Sequence, residues 1–261
     1  MYSIPSTLLS KLASGTIKFQ REVITRLKLF DFSRSAIRYY SDARKAGFEG
    51  HSFERFKTQF KLVSFKKGSQ IKEIGYKEVV QIGDNFIAGE LADSVFILNM
   101  STFERWVLST MKQAVISNPR KLFPNSKKVI ELNQLKTYER LDEFWEERID
   151  EYLVGIPYNG MKEMLKTFCK LFAMKEGQFS RDIVAKLNEN NLCRNLVVHN
   201  NKIVSATYIR KAGKFAKFSE GQEITIGEGL LFEQADNILR FMQDFRKIHE
   251  GKDGLSGSGE I

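Results

Sequence analysis

Residues 90–119 read ELADSVFILNMSTFERWVLSTMKQAVISNP. Leu91, Val95, Leu98 and Trp106 recur in this stretch at the three- and four-residue steps of one helix face. Pro119 ends the pattern, since proline lacks an N–H and disfavours helical geometry in the residue before it. Three further apolar stripes follow. Leu141, Phe144, Trp145, Ile149 and Tyr152 make one, and Met161, Met164, Leu165, Phe168, Leu171 and Phe172 make the next. Leu231, Ala235, Ile238, Met242 and Phe245 make the last. Consecutive helices with stripes of this width bury one another, so the expected fold is all-α, an antiparallel helical bundle over residues 85–250.

Between the last two stripes, residues 213–229 read GKFAKFSEGQEITIGEG. Gly-containing turns flank the β-prone run Glu223 to Ile226, which predicts a small β-hairpin or an extended loop inserted into the bundle. Residues 1–84 form a basic, mainly helical N-terminal region, with helices expected over Leu8 to Phe30, Arg34 to Ala46 and Phe53 to Leu62. They are candidates for a separate helical subdomain. The last eleven residues, GKDGLSGSGEI, are rich in Gly and Ser and predict a flexible tail over 251–261.

The 261 residues are 42% hydrophobic and include only four prolines, the composition of a chain that buries a core. No apolar run approaches the roughly 18 to 20 residues of a membrane span. The N-terminus MYSIPSTLLSKLASG lacks a basic segment ahead of its apolar part, so no secretory signal is read and a cytoplasmic location is expected. Cys169 and Cys193 are too few for a disulfide scaffold or a Cys-based zinc site, and both are expected to be core residues. The net charge of +9 is concentrated: residues 1–80 hold 16 Lys and Arg against 7 Asp and Glu, and the remainder is balanced at 25 of each. Such a basic segment suits a polyanionic partner or a plain solvated surface.

No phosphate-binding loop, dinucleotide fingerprint, HExxH or paired-Cys motif is present, and neither a metal nor a cofactor is expected. Asn99-Met100-Ser101 fits a glycosylation sequon but lies in the helix expected to be buried. His51 and His249 read as helix-end surface residues. What remains is Asn191 to Asn201, NLCRNLVVHNN, where a guanidinium and an imidazole are embedded among apolar residues. An arginine beside Leu, Cys and Val is desolvated unless it finds an anion, and its planar fork suits phosphate. His199, just ahead of the plausible helix stop Asn200-Asn201, sits at the negative end of a helix dipole, where a proton-donating imidazole is favoured. At about 100° per residue, Asn195 and His199 lie roughly 40° apart, and Arg194 lies roughly 140° from His199. An equally ordinary reading pairs Arg194 with a carboxylate such as Glu104 and makes His199 a helix cap.

Arg194-Asn195, three apolar residues and His199, followed by Asn200, Ile203-Val204 and Tyr208, resemble the RN-x-x-x-H motif of HEPN domains. The subgroup they are most similar to is the RiboL-PSP-HEPN type of prokaryotic stress and defence loci. Phe103-Glu104 in a long first helix, two amphipathic middle helices, the motif helix, a short insertion and a last helix follow that family's order over about residues 85–250. The resemblance implies a ribonuclease needing no metal that acts as a homodimer, with two motifs facing one cleft. It implies His199 as the proton-transfer residue, Arg194 as the stabiliser of phosphate charge and Asn195 as the group that positions the His or the phosphate. Glu104 is the candidate for orienting Arg194. Asn200, Lys202, Tyr208, Arg210 and Lys211 are candidates for lining the RNA path. The expected activity is that of an endoribonuclease serving as a toxin or antiphage-defence effector, with an antitoxin or regulatory protein as a possible further partner. The alternative is a non-catalytic HEPN-like module that binds nucleotide, RNA or a regulatory protein.

Overall fold

The computed structural model describes residues 6–45, 81, 85–117, 140–175, 178–180 and 182–253. Among them are seven α-helices. They are α1 (Ser6–Lys45), α2 (Ala92–Ser117), α3 (Leu141–Gly155), α4 (Met161–Leu171), α5 (Ile183–His199), α6 (Ala206–Ala212) and α7 (Glu228–Asp253). A short π-helical turn, Ile87–Leu91, leads into α2. The helical stripes thus become helices; α2 is helical through Ser117, and Pro119 lies outside the described residues. No helix among the described residues is long and apolar enough to cross a membrane.

The two helices expected at the start of the chain are one, since α1 runs unbroken through Phe30 to Arg34. It packs on α2 and α7, and its Leu12 and Val23 join the same core cluster as Trp106. Trp106 Nε1 donates to Thr16 Oγ1 at 3.2 Å, which gives the buried indole a partner on α1. The third expected helix, Phe53 to Leu62, and His51 lie outside the described residues. Helix α7 runs to Asp253, three residues into the expected tail, and residues 254–261 also lie outside.

One core cluster is aromatic. Trp106 meets Phe245 edge-on at 5.5 Å and Phe168 at 5.7 Å, so α2, α4 and α7 close on interlocked rings. The other cluster lies beneath the motif helix. It gathers Val95 and Phe96 of α2, Cys193 and Leu196 of α5, Val204, Tyr208, Ile224, Ile226 and Leu231. The small β-hairpin does not form as strands among the described residues. A single antiparallel bridge joins Ile203 to Glu223, with Val204 N–H donating to Gln222 O at 2.8 Å and Ile224 N–H to Lys202 O at 2.9 Å. The run Glu223 to Ile226 is used as a plug: Ile224 and Ile226 are fully buried in the second cluster, and that apolar burial fixes the segment without a longer ladder. Asn99 is fully buried as well, which closes the sequon-like triplet to modification.

Candidate functional site

Helix α5 ends at His199, and the chain then reverses through Asn201 (φ 47°) and Lys202 (φ 65°), both left-handed. Asparagine tolerates this region; lysine does so at some strain. Lys202 is held there by its Nζ, 2.5 Å from the Asp93 carboxylate, and by its N–H, which donates to Leu196 O at 3.0 Å. Asn200 donates its side-chain amide to Ile203 O. The reversal sends α6 back along α5: Ser205 caps α6 by accepting from Tyr208 N–H at 3.3 Å, and Asn188 Nδ2 donates to Lys211 O at 3.4 Å near the far end.

Within α5 the motif residues come together in part. Neighbouring residues on a helix point 100° apart and do not ordinarily meet. Arg194 nevertheless bends round so that Nη1 donates to Asn195 Oδ1 at 3.1 Å. Asn195 is four residues from His199 and shares its face, so the guanidinium is drawn toward the helix surface that carries the imidazole. His199 is exposed at the helix end. Arg194 Nε is buried and has no acceptor, and among the described residues no carboxylate forms an ion pair with this guanidinium. The Arg194–Glu104 pair weighed from the sequence is therefore not made. Glu104 is nonetheless near: burial pushes its carboxyl above the ordinary 4.5, and the positive charge of Arg194 pulls the other way.

The residues expected along an RNA path are placed unequally. Arg210 and Lys211 are exposed on α6, and Asn200 is exposed at the end of α5. Lys202 is committed to Asp93. Tyr208 is buried, 2% exposed, with its ring in the second core cluster.

Tyr208 belongs to a polar hub that the sequence did not reveal. Its centre is Glu189, 1% exposed. Glu189 Oε1 accepts from Tyr208 Oη at 2.8 Å and from Cys193 Sγ at 2.9 Å. Its Oε2 accepts from Asn190 Nδ2 at 3.3 Å and pairs with Lys217 Nζ at 3.2 Å. Lys217 also pairs with Glu233 at 2.9 Å, its N–H donates to Tyr208 Oη, and Asn190 is held by Asn237 of α7. A buried carboxylate persists only when paired and hydrogen-bonded. Burial alone would lower the pKa of Lys217, but the charges and hydrogen bonds of Glu189 and Glu233 outweigh it and hold the ammonium above the usual lysine range. The one sequence signal was the polar run Asn188-Glu189-Asn190-Asn191 inside a helix whose next turn is apolar. Among the described residues no three His, Cys, Asp or Glu side chains converge as a metal site would require.

Burial, and then the adjacent Glu189 charge, push the Cys193 thiol far above the ordinary 9.0. The thiolate is the reactive form, so Cys193 is inert in the folded chain. A pulse of iodoacetamide followed by mass spectrometry should label the half-buried Cys169 in native protein and both cysteines only in denaturant. Native labelling of Cys193 at the rate of Cys169 would contradict the hub.

No family model matches the chain, and no curated protein or solved structure is significantly similar to it.

Proposed function

We propose that the protein is a metal-independent endoribonuclease of the HEPN kind, cleaving RNA by attack of its own 2'-hydroxyl, in the role of a toxin or antiphage-defence effector. One observation carries this reading: an Arg194 guanidinium held by an amide and in ion-pair contact with no carboxylate among the described residues, on the helix that ends in an exposed His199. A guanidinium in that state retains donors for a phosphate, and charge-assisted bonds to phosphate are the strong ones.

In the proposed reaction a base takes the 2'-OH proton and the 2'-oxygen bonds to phosphorus. The bond to the 5'-oxygen breaks, and an acid returns a proton to that leaving group. The products are a 2',3'-cyclic phosphate and a 5'-hydroxyl. Arg194 stabilises the charge that gathers on the non-bridging oxygens, and Asn195 fixes the guanidinium. One chain brings one motif histidine, so base and acid together call for two copies across a two-fold axis. Val198, 43% exposed beside His199, offers such a contact an apolar group.

The test is an end-group analysis. RNA incubated with the purified protein in EDTA should give 2',3'-cyclic phosphate ends at an undiminished rate. Intact RNA under all conditions, with tight salt-sensitive binding, would move the assignment to the non-catalytic binding module.

A further inference from the structure

His199 is the last residue of α5, and its imidazole makes no hydrogen bond or ion pair among the described residues. Only the backbone of that last turn therefore sets where the imidazole stands. Helix ends fray unless something holds them. The two residues that follow Asn200 do not hold themselves, since Asn201 (φ 47°) and Lys202 (φ 65°) are both left-handed and a lysine takes that backbone only under strain.

Three contacts keep Lys202 in place. Its N–H donates to Leu196 O at 3.0 Å, where Asn200 N–H also donates at 3.1 Å, so the last turn of α5 is closed through it. Its carbonyl accepts from Ile224 N–H at 2.9 Å, and Ile224 is fully buried in the plug. Its ammonium lies 2.5 Å from Asp93 in the first turn of α2, a side-chain tie from the reversal to another helix. Asp93 is 9% exposed, Lys202 is its one counter-ion among the described residues, and its Oδ1 is buried with no partner. A buried carboxylate with so little support cannot give up its cation cheaply. The pair is a fixed point, and Leu196 O carries it to the turn that ends in His199.

We propose that Lys202 is a positioning residue: with Asp93 it pins the end of α5 to α2 and so fixes His199, and it is no phosphate contact. That the fixed imidazole serves RNA cleavage rests on the function proposed above; the tether does not. Strain at a non-glycine residue, held by its surroundings beside a proton-transferring group, is a form of preorganisation. Its loss is felt in the rate, since a misplacement of about 1 Å can cost about 10²-fold.

The test uses the full chain carrying Asp93→Asn and Lys202→Gly together. The double change removes both charges at once and supplies the residue that adopts left-handed backbone freely. With circular dichroism confirming the fold, kcat for RNA cleavage should fall about tenfold or more and KM should stay. Amide hydrogen exchange over residues 196–204 should quicken by about tenfold while α4 exchanges as in the wild type. Lys202→Arg, which keeps the cation, should recover most of the rate. Asp93→Asn alone weakens the pair without changing its shape; it should move both readouts in the same direction and serves where the double variant does not fold. An unchanged kcat or unchanged exchange over 196–204 overturns the tether and leaves the nuclease standing. So does a raised KM with an unchanged kcat, which would make Lys202 a phosphate contact. If the wild-type chain cleaves no RNA, the nuclease falls and the exchange alone decides the tether: faster exchange in the variant supports it, and wild-type exchange overturns it.

Discussion

Replacing His199 by alanine should lower RNA cleavage by about 10²-fold or more, the usual loss when a proton-transferring group is removed. The variant is informative because His199 is exposed at the end of α5 and belongs to neither core cluster, so the fold has little to lose. Arg194→Ala should cost a similar factor by leaving the transition-state charge without its guanidinium. Arg194→Lys should recover little, since an ammonium cannot reproduce the planar fork that reaches both Asn195 and a phosphate. Asn195→Ala should fall between, because it removes the acceptor that holds Arg194 but neither charged group. Single-turnover rates at saturating RNA measure all four. If Arg194→Ala and His199→Ala both cleave at the wild-type rate with native thermal stability, the nuclease assignment is wrong.

The helices were legible because their information is local. Met161, Met164, Leu165, Phe168 and Leu171 announce their buried face by spacing alone. That Arg194, Asn195 and His199 share one helix was legible for the same reason. What spacing could not supply is the partner of each polar group. Nothing in the order of residues says that Lys202 reaches back to Asp93, or that Lys217 crosses to Glu189, because those contacts depend on how α6 folds against α5. A Lys-rich segment reads as uniformly basic until the structure sorts it. Tyr208, expected along the RNA path, is instead core, and only its burial and its bond to a buried carboxylate show it. The β-prone run at Glu223 was read from a propensity that mainly reports fit to a half-buried surface, and burial of Ile224 and Ile226 meets that requirement without strands.

The second large effect concerns the hub. Glu189→Ala should destabilise the fold by about 2–4 kcal/mol, because it orphans the buried Tyr208 and Cys193 donors together, while Lys217 keeps Glu233 as its partner. For a chain of this size that is a fall in Tm on the order of 10 °C. Glu189→Gln, which keeps a side-chain oxygen to accept from Tyr208 and Cys193, should recover much of the loss. The hub also sets a pH dependence. Burial first, and then the negative charge around them, raises both the Cys193 thiol and the Tyr208 hydroxyl above their ordinary values of 9.0 and 10.0. The folded chain therefore keeps two protons that the unfolded chain gives up. Their contribution is complete below about pH 9 and is lost progressively as pH rises beyond it. Tyr208→Phe and Cys193→Ala should flatten that alkaline decline while lowering stability at neutral pH. Denaturant titrations at pH 7, 9 and 10.5 separate the two effects. A Glu189→Ala variant as stable as the wild type, with the same alkaline slope, would mean that the carboxylate at the centre of α5 anchors nothing and that α6 is held in place by apolar packing alone.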